Sequence, residues 1–179
     1  MAKVHEARLA ESNSHETEAA AKIVRLVNEA IHKTRELARG LLPVVSDAQG
    51  LMSALQLWAA EVEDLFGISC RFQCEKPVLV HNESVATHLY HIAQEAVNNA
   101  IKHGEAGKIL IQLTAGPSRG KLMIKDDGKG MPEGLNNSSG MGLHIMKYRS
   151  AMIGGALEIR SSTARGTSVI STFPLKDRG

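Results

Sequence analysis

At Gly67 the hydrophobic pattern of this chain changes its period, and that change restricts the fold to a mixture of helices and strands. Before it, GLMSALQLWAAEVEDLFG spaces its apolar residues as a helix does. After it, KILIQLTAG and KLMIKDDG alternate apolar with polar residues, the mark of strands with one buried face. The stretch Pro117-Ser118-Arg119-Gly120 is predicted to turn one into the other as a hairpin. ISCRFQC and PVLV are further short β-rich runs, and a long helix is predicted over about 83–103. LHIMKYRSAMI is predicted as a helix stopped by Gly154-Gly155, and ALEIRSS with TSVISTFPL closes the chain as a last strand pair. With 43% hydrophobic residues in 179, an α/β domain over 46–176 can bury a sizeable core.

Upstream of Pro43 the pattern is that of a partner-seeking helix. Ile23, Val27, Ala30, Thr34, Leu37 and Leu41 step by four, three, four, three, four, a heptad seam. Residues 1–45 are therefore expected to be part of a helical dimerisation region that joins two copies through helix 16–42. A lone amphipathic helix packed on its own domain is the alternative. A formal net charge of +2, with Lys and Arg dispersed along the sequence among acids, argues against a nucleic-acid partner. The absence of a long apolar run and of a signal-peptide core in MAKVHEARLAESNSHE predicts a cytoplasmic chain without membrane contact. Cys70 and Cys74, four residues apart on a predicted strand, stand about 13 Å apart, too far for a disulfide.

The segment HIAQEAVNNAIKHG asks for a functional reason, because each asparagine in a helix costs roughly 0.5 kcal/mol against alanine. On a helical wheel Leu89, Ala93, Ala96, Val97 and Ala100 fall on one side and Glu95, Asn98, Asn99 and Lys102 on the other. Glu95 and Asn99 are one turn apart, so a carboxylate and an amide oxygen can reach one small ligand, and hard oxygen donors suit Mg²⁺. A merely solvated face is the alternative. Asp126 is in phase with Leu122 and Ile124, so its carboxylate emerges among apolar neighbours and requires a donor. The exocyclic amine of adenine is such a donor, whereas guanine presents a carbonyl there, at a cost of about 1–3 kcal/mol. An ordinary Asp-Gly turn is the competing explanation. Gly128 and Gly130 would let the backbone pass close to the base. In SSGMGLHIM, glycines immediately before a helix make Gly140, Gly142 and Leu143 a seat for phosphates. Lys102 adds a cation, Lys147 is a second candidate, and Thr167 in RGTS offers a hydroxyl.

Taken in order, Glu-x-x-x-Asn before IKHG, Asp-x-Gly-x-Gly in DDGKG, Gly-x-Gly-Leu in GMGL and a late Gly-Thr resemble the ATP-binding boxes of the GHKL superfamily of gyrase, Hsp90, histidine kinases and MutL. RELARGLLPV, GLMSALQLW and KYRSAMIGGALEIRSSTARGTSV further resemble the nitrate-sensor-like class of bacterial two-component sensor histidine kinases, over about residues 20–175. The resemblance implies a two-layer α/β (α+β) sandwich of the Bergerat type, with ATP and Mg²⁺ held beneath a lid at 131–139. It implies that Asn99 holds Mg²⁺, that Lys102 and His103 line the phosphate and sugar side, and that Asp126 binds the adenine amine. Glu95 stands where such kinases carry the acid that orients the attacking imidazole or accepts its proton. The implied activity is transfer of the γ-phosphate to a histidine, for relay to a response regulator with a DNA-binding output. One departure stands out: no Arg-rich stretch followed by His-Asp or His-Glu is present. His5-Glu6 and His15-Glu16 lie in polar surroundings and are not read as the acceptor. The chain is expected to be a piece of a longer kinase, lacking the acceptor helix and unable to phosphorylate itself. Asn98 receives no role. Another ATPase or serine kinase of the superfamily, or a dimerising module with a vestigial site, are the alternatives.

Overall fold

The computed structural model describes Val27 and residues 48–131, 140–162 and 166–175. The chain divides into two compact units, residues 1–42 and 43–179. Apart from Val27, which is helical and half-exposed, the heptad seam lies outside the described residues, as do lid residues 132–139 and turn residues 163–165.

The second unit runs α1 (Gly50–Phe66), β1 (Ser69–Gln73), α2 (Glu83–Lys102), β2 (Lys108–Ala115), β3 (Arg119–Asp126), α3 (Met141–Met152), β4 (Ala156–Ser162) and β5 (Gly166–Pro174). Its strands form one five-stranded sheet in the order β1-β2-β3-β5-β4. β1 and β2 are parallel, as a connection through α2 requires, and every other pair is antiparallel. Register sets the faces: Ile109 opposes Asp126, Ile111 opposes Ile124, Leu113 opposes Leu122, and Ile124 opposes Val169. Those side chains point to the helices and are buried, so the structure is a two-layer sandwich with its core between sheet and helices.

Each helix has a local reason to start or stop. Asn82 caps α2 by accepting the Val85 N–H at 3.1 Å, and Glu83 complements the dipole in its first turn. Gly67 ends α1 in the left-handed region at φ 64°, its N–H donating to the Glu63 carbonyl at 3.0 Å. α1 buries Leu51, Leu55, Trp58 and Val62 at steps of four, three and four, each side chain contributing about 1.5–3 kcal/mol. The Glu63 side chain serves the sheet as well, since its Oε1 accepts the Cys70 N–H at 3.0 Å and so satisfies a donor of the sheet-edge strand β1. Burial, with a smaller push from the Glu63 carboxylate, raises the Cys70 thiol to about 12, so this cysteine is a core residue; it and Cys74 are both free thiols.

Two expectations need correction. PVLV forms no strand. Pro77 has no N–H to give a ladder, the Val78 N–H turns to the Met52 sulfur at 3.4 Å, and the Val80 N–H to the Ala48 carbonyl at 3.0 Å, so the segment packs Val78 and Val80 against the start of α1. The hairpin turn is also tighter than expected, since β3 already begins at Arg119 and the Gly116 N–H closes onto the Arg119 carbonyl at 2.8 Å. Among the described residues no helix is long and apolar enough to cross a membrane.

Two features of the packing carry predictions. A Cβ on Gly120 would run into the fully buried Phe173 ring opposite it, so Gly120→Ala is expected to cost about 1–3 kcal/mol by overpacking, measured by urea denaturation. Between α2 and α3, the Arg149 guanidinium approaches His88 Nδ1 at 3.5 Å, and burial followed by the Arg149 charge lowers the His88 pKa from its ordinary 6.5. The unfolded chain then binds this proton first. Stability held by the neutral ring is complete above the ordinary value and is lost as pH falls through the lower folded value. Unfolding midpoints should therefore decline on acidification below pH 6.5 less steeply in His88→Gln than in the parent chain.

Candidate functional site

A cavity of about 420 Å³ opens between α2, the ends of β3 and β5, and the first turn of α3. The residues facing it from α2 and its C-cap are Glu95, Ala96, Asn99, Ala100 and the capping His103, which fall on a wheel between the polar stripe and the apolar one. This side of the helix thus offers a carboxylate and an amide beside a smooth patch of alanines.

Asp126 forms the floor. The apolar phase of β3 carries it inward behind Leu122 and Ile124, and it is only 7% exposed. Oδ1 accepts two backbone N–H groups, from Gly128 at 2.9 Å and from Thr167 at 3.1 Å. The carboxylate is thereby fixed, and Oδ2 has no hydrogen-bond partner among the described residues. An acceptor aligned in this way and walled by Ile124, Met146, Ile159 and Val169 suits a flat apolar group bearing one donor.

The first turn of α3 closes the opposite end. Gly140 is its N-cap and Gly142 lies against α2, where a Cβ would strike Glu95 Oε1 and come within 3.5 Å of Asn99 Nδ2. A side chain at this position would have to push the flexible end of Glu95 aside. The N-terminal N–H groups and the dipole of α3 favour an anion beside two oxygen-bearing side chains, an arrangement fit for phosphates and a hard cation. At the rim, Lys129 donates to Glu105 at 2.7 Å; that hydrogen bond, then the lysine charge, lowers the Glu105 carboxyl pKa. Met131, at the start of the expected lid, lines the cavity and donates its N–H to Ser161 Oγ at 2.7 Å.

Of the residues singled out in the sequence, Glu95, Asn99, His103, Asp126, Gly130, Gly140, Gly142, Leu143 and Thr167 meet around this cavity. Lys102 does not: it is exposed and off the wall, because it points roughly 110° away from the direction shared by Asn99 and Ala100. Asn98 and Lys147 are off the wall as well. Gly128 also lies off it; a Cβ there would meet the Gly104 carbonyl, so the close approach is between two backbone segments. Sequence reasoning missed Lys129, although it stands between the two glycines of DDGKG, and assigned Ala96 and Ala100 wholly to the core.

The family described as "Histidine kinase-, DNA gyrase B-, and HSP90-like ATPase" matches residues 84–177, just over half of the chain. The sensor histidine kinase MctS of Rhizobium johnstonii is 32% identical over 84% of this chain and 33% of its own length. The nitrate/nitrite sensor protein NarX of Escherichia coli is 32% identical over 69% of this chain and 21% of its own. The chain thus spans a third or less of these two relatives. Among solved structures, the ATP binding domain of PrrB from Mycobacterium tuberculosis aligns with a TM-score of 0.62 at 18% identity, over 73% of this chain and 96% of that one, a likeness of fold.

The contact at Gly142 can be tested in isolation. Replacing a helical glycine by alanine gains about 1 kcal/mol of helix propensity, which offsets part of the clash. Gly142→Ala is expected to remain folded while the backbone amide resonances of Glu95 and Asn99 shift, since the Glu95 carboxylate has to move.

Proposed function

The chain belongs to the family of histidine kinase-, DNA gyrase B- and HSP90-like ATPases, and on that premise we propose that it is the ATP-binding catalytic part of a sensor histidine kinase. The observation that carries the nucleotide assignment is the buried Asp126 carboxylate, with Oδ1 held by two N–H groups and Oδ2 left to take a donor from the cavity. The exocyclic amine of adenine is that donor. Guanine would set its carbonyl against the carboxylate, a loss of about 1–3 kcal/mol that selects ATP.

The other residues divide the remaining work. Ile124, Ile159 and Val169 sandwich the base and keep water from the Asp126 contact. His103 and Thr167 serve the sugar and phosphate side, and the Gly140, Gly142 and Leu143 backbone seats the phosphates at the α3 dipole. Asn99 would hold Mg²⁺, with Glu95 close by; both offer oxygen, the donor this cation prefers, and the cation keeps most of its shell for phosphate and water. ATP and Mg²⁺ when bound supply the γ-phosphoryl group and the neutralisation of its charge. Glu95 orients the attacking imidazole and accepts its proton. The phosphate acceptor in this reading is a histidine on a dimerisation helix outside this chain, and a response regulator with a DNA-binding output takes the phosphate onward. Two copies join through helix 16–42, in the cytoplasm.

Calorimetric titration with a non-hydrolysable ATP analogue and Mg²⁺ tests the reading. Asp126→Asn and Asn99→Ala should each weaken binding at least about tenfold, as loss of a charge-assisted or metal contact does, and the analogous GTP compound should bind more weakly than the ATP one. Binding that is absent in the parent chain, or that both variants leave unchanged, rejects it. Supplied with a separate histidine-bearing helix, the chain should yield an acid-labile phosphoryl product. An acid-stable one would mark a serine kinase instead.

A further inference from the structure

The sheet has a second face, turned away from the helices, and the fold gathers there cations that the linear sequence disperses. Arg71, Leu110, Lys125, Ser168 and Arg160 stand opposite one another in a single row across all five strands. Arg119, Lys121 and Lys108 share the face, because they lie an even number of residues from Lys125 or Leu110; Arg119 donates to the Gly154 carbonyl at 3.5 Å. Glu158, two residues from Arg160, is the one acid on these strand positions. Six basic side chains against one acid give a local excess of five, in a chain whose formal net charge is only +2.

Glu158 is already engaged, accepting Arg160 Nε at 2.6 Å and Nη2 at 3.1 Å. Asp127, at the rim, has its Oδ1 committed to the Gly107 and Lys108 backbone N–H groups, at 2.9 and 2.7 Å. Among the described residues the heads of Arg71, Lys108, Lys121 and Lys125 have no ion-pair partner, and Arg71, Lys108 and Lys125 line, together with Asp126 and the rim residue Asp127, a depression of about 410 Å³ over β1, β2 and β3. Beside it run Leu110, Met123 and Ile170, half-buried and flush with the sheet. We propose that this face docks an acidic protein segment. Its carboxylates meet Arg71, Lys108 and Lys125 around the depression, and its apolar side chains cover the Leu110, Met123 and Ile170 strip.

Charge complementarity calls for an anionic partner, and the strip decides which. A phosphodiester backbone has no apolar groups to lay on it, and the hydrocarbon of a bilayer lies beneath its headgroups, out of reach of side chains level with the sheet. A protein segment that alternates carboxylates with apolar residues satisfies both parts of the surface at once.

The full chain is titrated with a peptide that alternates glutamate with leucine, with a duplex DNA and phosphatidylserine vesicles in parallel. The peptide should bind more tightly than the other two, weaken as salt is raised, and shift the methyl resonances of Met123 and Ile170. The triple variant Arg71→Gln, Lys108→Gln, Lys125→Gln should bind it about tenfold more weakly with an unchanged thermal midpoint. No binding, equal binding by the variant, unmoved Met123 and Ile170 methyls, or tighter binding of DNA or vesicles would each overturn the proposal.

Discussion

The organisation of the nucleotide-sized cavity depends on one buried carboxylate. Asp126 ties the end of β3 to the following loop through the Gly128 N–H and to the start of β5 through the Thr167 N–H. Burying an ionised group without partners would cost several kcal/mol, and the two donors offset that cost on one oxygen only. The other oxygen is the acceptor that the cavity presents. The interaction that holds strand ends and loop together therefore also fixes how the second oxygen faces the cavity.

The remaining walls are arranged around that anchor by close backbone approach. Gly142 brings the α3 helix start against Glu95 and Asn99, and Gly128 brings the loop against the Gly104 carbonyl, so two termini and a loop converge without side chains between them. The cavity is consequently lined by alanines, branched aliphatic residues and methionines on its apolar side and by Glu95, Asn99 and the α3 N-terminus on its polar side. A flat apolar group joined to a chain of anions matches this division.

Much of this arrangement was legible in the sequence, because period and spacing are local properties. The alternation in KLMIKDDG is enough to place Asp126 inward, and the i, i+4 relation places Asn99 beside Glu95. What sequence could not supply were the directions set by tertiary packing. Lys102 belongs to the same polar stripe as Asn99, yet the cavity lies to one side of that stripe, toward Ala96 and Ala100. PVLV has strand composition, but its N–H groups had nearer acceptors at the start of α1. Nothing local in DDGKG marks Lys129, which the course of the loop carries to the rim. The cationic sheet face was invisible for the same reason, since its members are up to 89 positions apart, Arg71 to Arg160, and only the register aligns them.

The Glu63 carboxylate on the Cys70 N–H has a consequence for how such a molecule behaves at high concentration. β1 is an outermost strand, and strands in that position are where foreign chains add and fibrils begin. An intruding strand would have to evict the carboxylate from its donor and leave it facing peptide carbonyls, an electrostatic toll that guards solubility from within the native fold.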